Sequence, residues 1–547
     1  MSQSRTRGSF APWIPVLALA ALAAERLAML AKAAPSDFDD AYMYLRYAHN
    51  LLAGEGVAWN PGEGQVFGVT SLLHLGVVTV LRWLFADRSP AGVLAAASGG
   101  AAIGLLVALV AMLGYCARHP RLRGNWFFWT AVVLPLVAYR EAFGFHATTG
   151  MDTMLSALAN AFVVFATLRL VDSPRTATLG WATLAAVLAV LARPDNVLCA
   201  FFCPLLALVL PRPRGKLIAR FIVMCGGGLA IVAGTEWLVL GSPVPLSYFA
   251  KQPWYYLGFA GEYTWNPYLF LKVFGYSAWP FIAALIVFAD GAGWKRAAVL
   301  LTPTLASIAV LFHFNQIMGH LARFDYPFLP FFVAAGALEF DRWLARGQSI
   351  HSQTMIVRAV LAASVLVAAS MALSSAGAAY ARQAREQRLA SPGGYTVPDA
   401  PALPEMDSWQ AAHAIAGIAQ AAPDRARFAM SEHGLPGALA PRTTIIDLLG
   451  LHDPYFARHG FSAAELFRRK PDLIWLPHED HTQMLKDIVG SDEFWAHYDF
   501  YPDAFFYGLA VRKDGEKHER VRAAVQAQWR SSYPDRDLAA YRAERGE

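Results

Sequence analysis

The chain has 547 residues, of which 56% are hydrophobic and 16% charged, and its mean hydropathy is positive. A wholly soluble protein of this length needs far more polar surface, so that class is excluded; the net charge of +5 is spread over short loops and gives no case for nucleic acid. The four cysteines, Cys116, Cys199, Cys203 and Cys225, lie in or beside apolar runs, so the polar part of the chain has neither a disulfide framework nor a zinc-ligand spacing.

Arg5 and Arg7 precede an apolar run, Ala11 to Ala34, with no clear small-residue cleavage site. It reads as a retained signal anchor rather than a cleaved signal peptide. Apolar runs of about 18 or more residues, the length that crosses a bilayer as a helix, recur as far as Tyr380. After a first loop come Val69 to Ala86, Ala91 to Cys116, Trp126 to Tyr139 and Thr153 to Val171. A short pair follows, Leu179 to Ala192 with Val197 to Leu210, and then Leu217 to Leu240. Tyr268 to Ala289, Ala297 to Phe312, Tyr326 to Leu344 and Met355 to Tyr380 complete the series. From Ala381 to Glu547 the sequence is charged and free of such runs, which divides the chain into a membrane domain, 1–380, and a soluble domain, 381–547.

Short cytoplasmic loops carry the excess of Lys and Arg. The basic loops, Arg118 to Arg123, Pro174-Arg175, Pro211 to Lys216, Lys295-Arg296 and Arg342 to Arg346, lie on one side together only if Val69 to Ala86 does not cross and instead lies at the outer interface. Eleven crossings then remain, with the N-terminus cytoplasmic and the soluble domain extracytoplasmic. The loops left outside hold clustered carboxylates, histidines and aromatics, so the chemistry is expected to face outward.

In the first outer loop, 35–68, Ser36 to Ala48 opens a helix that Gly54 is expected to stop. Ser36 with Asp39 has capping-box spacing, so Asp39 has a purely structural reading. Asp37, Asp39 and Asp40, however, are more acid than a cap requires. Asp39 and Asp40 point about 100° apart on a helix, so one can face a cavity while the other holds a partner. A carboxylate there suits a general base that activates an acceptor hydroxyl.

The stretch "DDAYMYLRYAHNLLAGEGVAWNPGE…VFGVTSLLH", from Asp39 onward, resembles the first outer loop of GT-C glycosyltransferases. It looks closest to the actinobacterial decaprenyl-phosphoarabinose-dependent enzymes that add terminal β-(1→2) arabinofuranose. "ATTGMDTML", "LARPDNVL", "GSPVPLSYFAK", "RFDYPFLPFF" and "IIDLLGLHDP" follow in the same order, so the resemblance covers most of the chain. It implies a GT-C fold, a polytopic α-helical membrane domain with a C-terminal extracytoplasmic α/β domain, in a bacterial plasma membrane. It further implies a juxtamembrane helix over 69–86, a polyprenyl-phosphate sugar as donor, and inversion by a first-loop Asp. By match to the "DD" of such loops, Asp39 is the first choice for the base and Asp40 the second.

Four further positions are expected to touch substrate. Asp152 opens a membrane helix, where it reads either as an N-terminal acid favoured by the helix dipole or as a second carboxylate for substrate hydroxyls. Tyr44, Trp59 and His146 are the others, with a structural role the main alternative for His146. For the donor phosphate the candidates are Lys251, Arg323, Arg193 and His320. Lys251 and Arg323 read either as snorkelling cations or as partners of a lipid phosphate at that depth. Arg193 reads first as a partner of Asp195, since charges at membrane depth pair or line a cavity.

In the soluble domain, strands over Arg427 to Met430, Thr443 to Ile446, Leu473 to Leu476 and Gly508 to Arg512 alternate with helices over Ser408 to Ala421, Ser462 to Arg469 and His481 to Val489. That order suggests a small α/β layer. Gly434 and Gly437 do not make a nucleotide loop. Asp447, His452, Asp453, His478, Glu479, Asp480 and His481 are expected to form solvated loops rather than a metal site, because they lack helical His spacing. The domain is expected to cap the outer cavity and help choose the acceptor.

The expected activity is therefore an inverting glycosyl transfer from a polyprenyl phosphate to an acceptor hydroxyl on an envelope glycan, lipid or protein. D-arabinofuranose is the sugar that the resemblance implies. Partners are the lipid-linked donor, the acceptor and membrane lipids. No cofactor is required with a phosphorylated lipid as leaving group, although some GT-C relatives use a divalent cation, which Asp39, Asp40 and Asp152 would bind. The competing class is a secondary transporter or flippase, against which stand the absence of evident internal repeats and the gathering of charge in outer loops.

Overall fold

The structure, a computed structural model, describes residues 38–118, 140–210, 214–252, 255, 266–314, 318–346, 379, 403–404, 406–478 and 480–543. The expected spans Ala11 to Ala34 and Trp126 to Tyr139 and most of Met355 to Tyr380 lie outside the described residues, as do the expected domain boundary at 380–381, Ser36, Asp37 and Glu479.

Helix α1 (Asp39–Leu52) starts after Phe38, whose extended backbone provides no side-chain cap. Asp39 sends its carboxylate to another element, described below, which corrects the capping-box reading. The helix ends where Gly54 takes a positive φ of 84°, a conformation that costs glycine little. Helix α2 (Leu72–Leu84) is capped by Ser71 Oγ, which accepts from the His74 amide at 3.0 Å. At about 20 Å it is shorter than the hydrocarbon thickness of a bilayer. It buries His74, Leu75 and Val78 and exposes Val80, Trp83 and Leu84.

The remaining helices of this half are α3 (Pro90–Cys116), α4 (Arg140–Thr148), α5 (Thr153–Asp172), α6 (Thr176–Ala192), α7 (Val197–Val209), α8 (Gly215–Leu240, with a π-helical turn at Ile222–Gly226), α9 (Ser247–Ala250), α10 (Asn266–Ser277), α11 (Trp279–Phe288), α12 (Gly291–Leu311) and α13 (Leu329–Ala345). Among the described residues α3, α5, α8 and α12 are long and apolar enough to cross a membrane, and α10 with α11 makes a fifth if that bent pair is one span. These apolar helices mark a membrane-embedded protein.

Three of the eleven expected crossings lie wholly or mostly outside the described residues; of the other eight, four are long and apolar enough to span alone, and a fifth is if α10 and α11 make one span. The reasons the rest fall short are local. α10 and α11 meet at 78°, where Pro280 in the first turn of α11 cannot donate to a continuing helical ladder. α6 and α7 have 17 and 13 residues and are separated by a 3-10 turn at Pro194–Asn196. α13 also stops at 17 residues, with Glu339 and Asp341 near its end. Such helices pack on α5 and on one another. The rule of about 20 apolar residues counts helices that span alone.

The C-terminal part is an α/β unit. Helix α14 (Ser408–Ala421) has a capping box in which Asp407 accepts from the Gln410 amide. After it come β1 (Arg427–Met430), α15 (Gly434–Leu439), β2 (Thr444–Asp447), α16 (Ala463–Arg468), β3 (Leu473–Trp475), α17 (Thr482–Val489), β4 (Tyr498–Tyr501), β5 (Leu509–Arg512) and α18 (His518–Ser532). The strands lie in the order β2-β1-β3-β5-β4, parallel through the first three and antiparallel at β3-β5 and β5-β4. β4 was not among the expected strands.

Alternate side chains leave the sheet on opposite faces. Ala429, Ile446, Ile474, Phe500 and Ala510 pack together with α16 and α17. Phe428, Met430, Leu473, Trp475, Leu509 and Val511 pack with α14 and α18 on the other face. That second core does not end at the soluble unit. It continues through Phe38 to Ala48 of α1, Leu75 and Val78 of α2, and Leu94 and Ala97 of α3. The first loop and the C-terminal unit therefore share one hydrophobic core.

Candidate active site

Three cations predicted from separate loops converge on one aromatic ring. Proline at 194 forces Arg193 into extended backbone, φ −163° and ψ 131°, which throws its side chain off the end of α6. Lys251 follows the single turn of α9. Arg323 follows Leu321 and Ala322, both with left-handed φ values of 51° and 57°. That conformation costs a non-glycine residue about 1–2 kcal/mol, and here it sets the direction of Arg323. The Arg193 and Arg323 guanidiniums and the Lys251 ammonium lie 5.2, 5.0 and 4.6 Å from the centroid of Phe324.

Each cation is differently engaged. Arg193 donates to both carboxylate oxygens of Asp195, and its Nη1 lies 3.7 Å from Asp152 Oδ1. Arg323 Nη1 donates to Asp40 Oδ2 at 2.9 Å, while its buried Nε has no hydrogen-bond partner among the described residues. Lys251 has no ion-pair partner among the described residues. Burial, and then repulsion from Arg323, pushes its amine down to about 8, against the pull of Asp40.

Arg193, Asp195, Lys251 and Phe324 line the wall of a cavity of about 320 Å³. The rest of its lining is mainly apolar and includes Val197, Leu198, Val244, Val310, Leu311 and Phe314. The lining thus joins two cations to a mainly apolar surface that suits hydrocarbon. Thr70 also lines it and donates to Asp152 Oδ2 at 3.1 Å. Tyr44 donates to the same oxygen at 3.2 Å, so Asp152 is buried and held from three sides.

The two first-loop carboxylates part company. Asp40 belongs to the cationic cluster through Arg323. Asp39 accepts from the Gly434 and Leu435 amides, both at 2.7 Å, and so ties α1 to the start of α15. Burial holds its carboxyl above the usual carboxylate range, against the pull of His433 and of the two amides.

Other expected site residues lie elsewhere. Trp59 is not in the cavity wall; it is buried against the soluble unit and stacks on His452, with ring centroids 4.0 Å apart. His146 is buried under the strained 318–325 loop and its Nε2 meets Leu321 O at 3.1 Å, which is an anchoring position. His320 packs on Phe38; burial and Arg323 push it down to about 4, so at neutral pH it offers a neutral ring and not a cation. The expected solvated character of Asp447, His452, Asp480 and His481 is corrected, because all four are buried between the sheet and the elements around it.

Two functional elements were missing from the sequence reading. Phe324 is one, and its signal was its place between two charges in "RFD" at the head of an apolar run. Arg46 is the other. Fully buried, it donates to the carbonyls of Trp59, Gly437, Ala440 and Thr443 and to Asn60 Oδ1, and so pins α1 to α15 and β2. Comparison with known proteins adds no assignment: no family model matches the chain, and neither does any curated protein.

Proposed function

We propose that this chain is an inverting glycosyltransferase that moves a sugar from a polyprenyl phosphate to an acceptor hydroxyl at the outer face of the membrane. The observation that carries the reading is the set of three cations around Phe324, two of which, Arg193 and Lys251, line a mainly apolar cavity, with Asp40 at ion-pair distance from the third. A lipid phosphate needs both halves of that arrangement: charge for its head and hydrocarbon for its chain. The GT-C resemblance of the first loop points the same way, and arabinofuranose is the donor sugar to try first.

On this reading Lys251 and Arg323 take the phosphate oxygens, using the ammonium and the unused Nε donor. The acceptor oxygen attacks the anomeric carbon as the bond from that carbon to the phosphate oxygen breaks. The acceptor proton passes to a carboxylate, and polyprenyl phosphate leaves with the bonding electron pair, stabilised by the cations. Asp40 is the better base. Asp40 accepts from Arg323 through Oδ2 and has Oδ1 for an acceptor hydroxyl, whereas both oxygens of Asp39 are committed to amides. Asp39 then acts as the tie that positions α1.

Membranes carrying the protein, given radiolabelled polyprenyl-phosphate arabinose, test this. Asp40→Asn is expected to lower transfer by about 100-fold or more while donor binding is kept, because Arg323 is set free. Asp39→Asn is expected to lower thermal stability and to keep most transfer at low temperature. Loss of transfer in Asp39→Asn with retained stability would reverse the two roles. If the wild type binds another polyprenyl-phosphate sugar only, the donor sugar is wrong. If it binds none, the transferase reading falls and transport becomes the reading to pursue.

A further inference from the structure

A second cluster lies at the carboxyl ends of the parallel strands. The order β2-β1-β3 makes β1 the point at which the chain turns from one side of the sheet to the other, and ligands of open α/β sheets bind at such points. His433 follows β1, Asp447 ends β2, and His452 comes from the loop that follows. Their side chains are 2%, 0% and 3% exposed, and each offers a ligand atom within 4.8 Å of the other two.

The hydrogen bonding is incomplete where a ligand would sit. His433 Nε2 lies 2.9 Å from Asp447 Oδ1, yet neither ring nitrogen of His433 has a hydrogen bond of acceptable geometry among the described residues. A buried imidazole left in that state is costly. Asp447 is held from behind, by the Leu449 amide on Oδ1 at 2.8 Å and the His452 amide on Oδ2 at 2.7 Å. His452 Nδ1 meets the Tyr47 hydroxyl at 3.0 Å, which fixes the ring, and its Nε2 meets Met43 Sδ at 2.6 Å. One imidazole fixed by an outer hydrogen bond and a carboxylate buttressed by amides are parts of the supporting shell of a metal centre.

We propose that His433, Asp447 and His452 bind a divalent transition-metal ion, zinc fitting best, with the thioether of Met43 closing the fourth side. Two imidazoles and a carboxylate suit zinc, whose tetrahedral shell places ligand atoms about 3.3 Å apart, within reach of the observed spacing. Because Met43, Tyr47 and Trp59 cover the cluster, the centre is closed and structural. It clamps the loops of the soluble unit onto α1, the helix that carries Asp39 and Asp40.

The full chain, purified in detergent and passed over a chelating resin, would be equilibrated with Zn²⁺ or Co²⁺ and assayed for bound metal. The expected result is about one equivalent per chain, with the visible absorption of tetrahedral cobalt. His433→Gln and Asp447→Asn are each expected to lower this to about a tenth of an equivalent or less. Should those variants fold poorly, the wild type alone decides. Stripping its metal is expected to lower the apparent Tm reversibly while the far-ultraviolet circular dichroism is unchanged. Less than about a tenth of an equivalent in the wild type, or full retention in His433→Gln, overturns the proposal and leaves a histidine–aspartate ion pair.

Discussion

Arg46 and Arg323 are both buried and both stacked on aromatic rings, but they spend their donors differently. Arg46 makes five hydrogen bonds, one for each N–H it has, and none goes to a carboxylate. Arg323 lies between Phe38 and Phe324, makes one ion pair, to Asp40, and leaves its Nε unused among the described residues. The first guanidinium is saturated by carbonyls from the two parts of the chain it joins. The second shares the Phe324 ring with another cation, Lys251, and that ring and Lys251 both line a cavity. Saturation marks a joint, and spare donors beside an apolar cavity mark a place where a ligand completes the set.

The sharpest way to break that contrast is at the saturated end. Arg46→Met keeps the volume but removes five buried hydrogen bonds and takes the side-chain donor from the Gly437 and Thr443 carbonyls. A loss of about 3 kcal/mol or more of apparent stability is expected, with release of the soluble unit to limited proteolysis. An unchanged melting temperature would mean that the shared core, and not Arg46, holds the two parts together.

The cations around Phe324 were legible because each stands at the edge of an apolar run, where charge is expensive and so informative. Their meeting on one ring was not, since Arg193, Lys251 and Arg323 come from three loops. The pairing of Asp39 with Gly434 and Leu435 was hidden for the same reason: the partners lie 395 and 396 residues away, and local spacing supplied a plausible cap instead. Strands β1, β2, β3 and β5 were legible as short apolar runs between helical stretches. β4, Tyr498 to Tyr501, carries Asp499 within it and follows directly on a helical turn, so no apolar run announced it. The His433, Asp447 and His452 cluster assembles from one strand and two loops and has no spacing to read. The lone-span rule is least informative where helices lean on one another and fall short of about 20 residues, as α6, α7 and α13 do.

Phe324 offers a finer cut at the unsaturated end. Phe324→Leu keeps an apolar wall but removes the face on which three cations rest. Each such contact is worth about 0.5–2 kcal/mol, so the donor KM is expected to rise about tenfold with kcat little changed. A fall in kcat with unchanged KM would place the ring at the reacting sugar and not at the phosphate.

The mildest test uses pH. Burial and the neighbouring Arg323 push the Lys251 amine down to about 8, so it is charged below that pH and neutral above it. A polyprenyl-phosphate sugar is a phosphodiester and keeps one negative charge throughout this range, so the protein supplies the titration. Donor affinity is therefore expected to be constant below pH 8 and to weaken by up to about tenfold per pH unit above it, with a proton taken up on binding there. Lys251→Arg, whose guanidinium stays charged, is expected to remove the inflection while Arg46→Lys leaves it in place. Titration of donor binding between pH 6.5 and 9.5 reads both. A flat wild-type profile matching that of Lys251→Arg would take Lys251 off the phosphate and leave Arg323 as its partner.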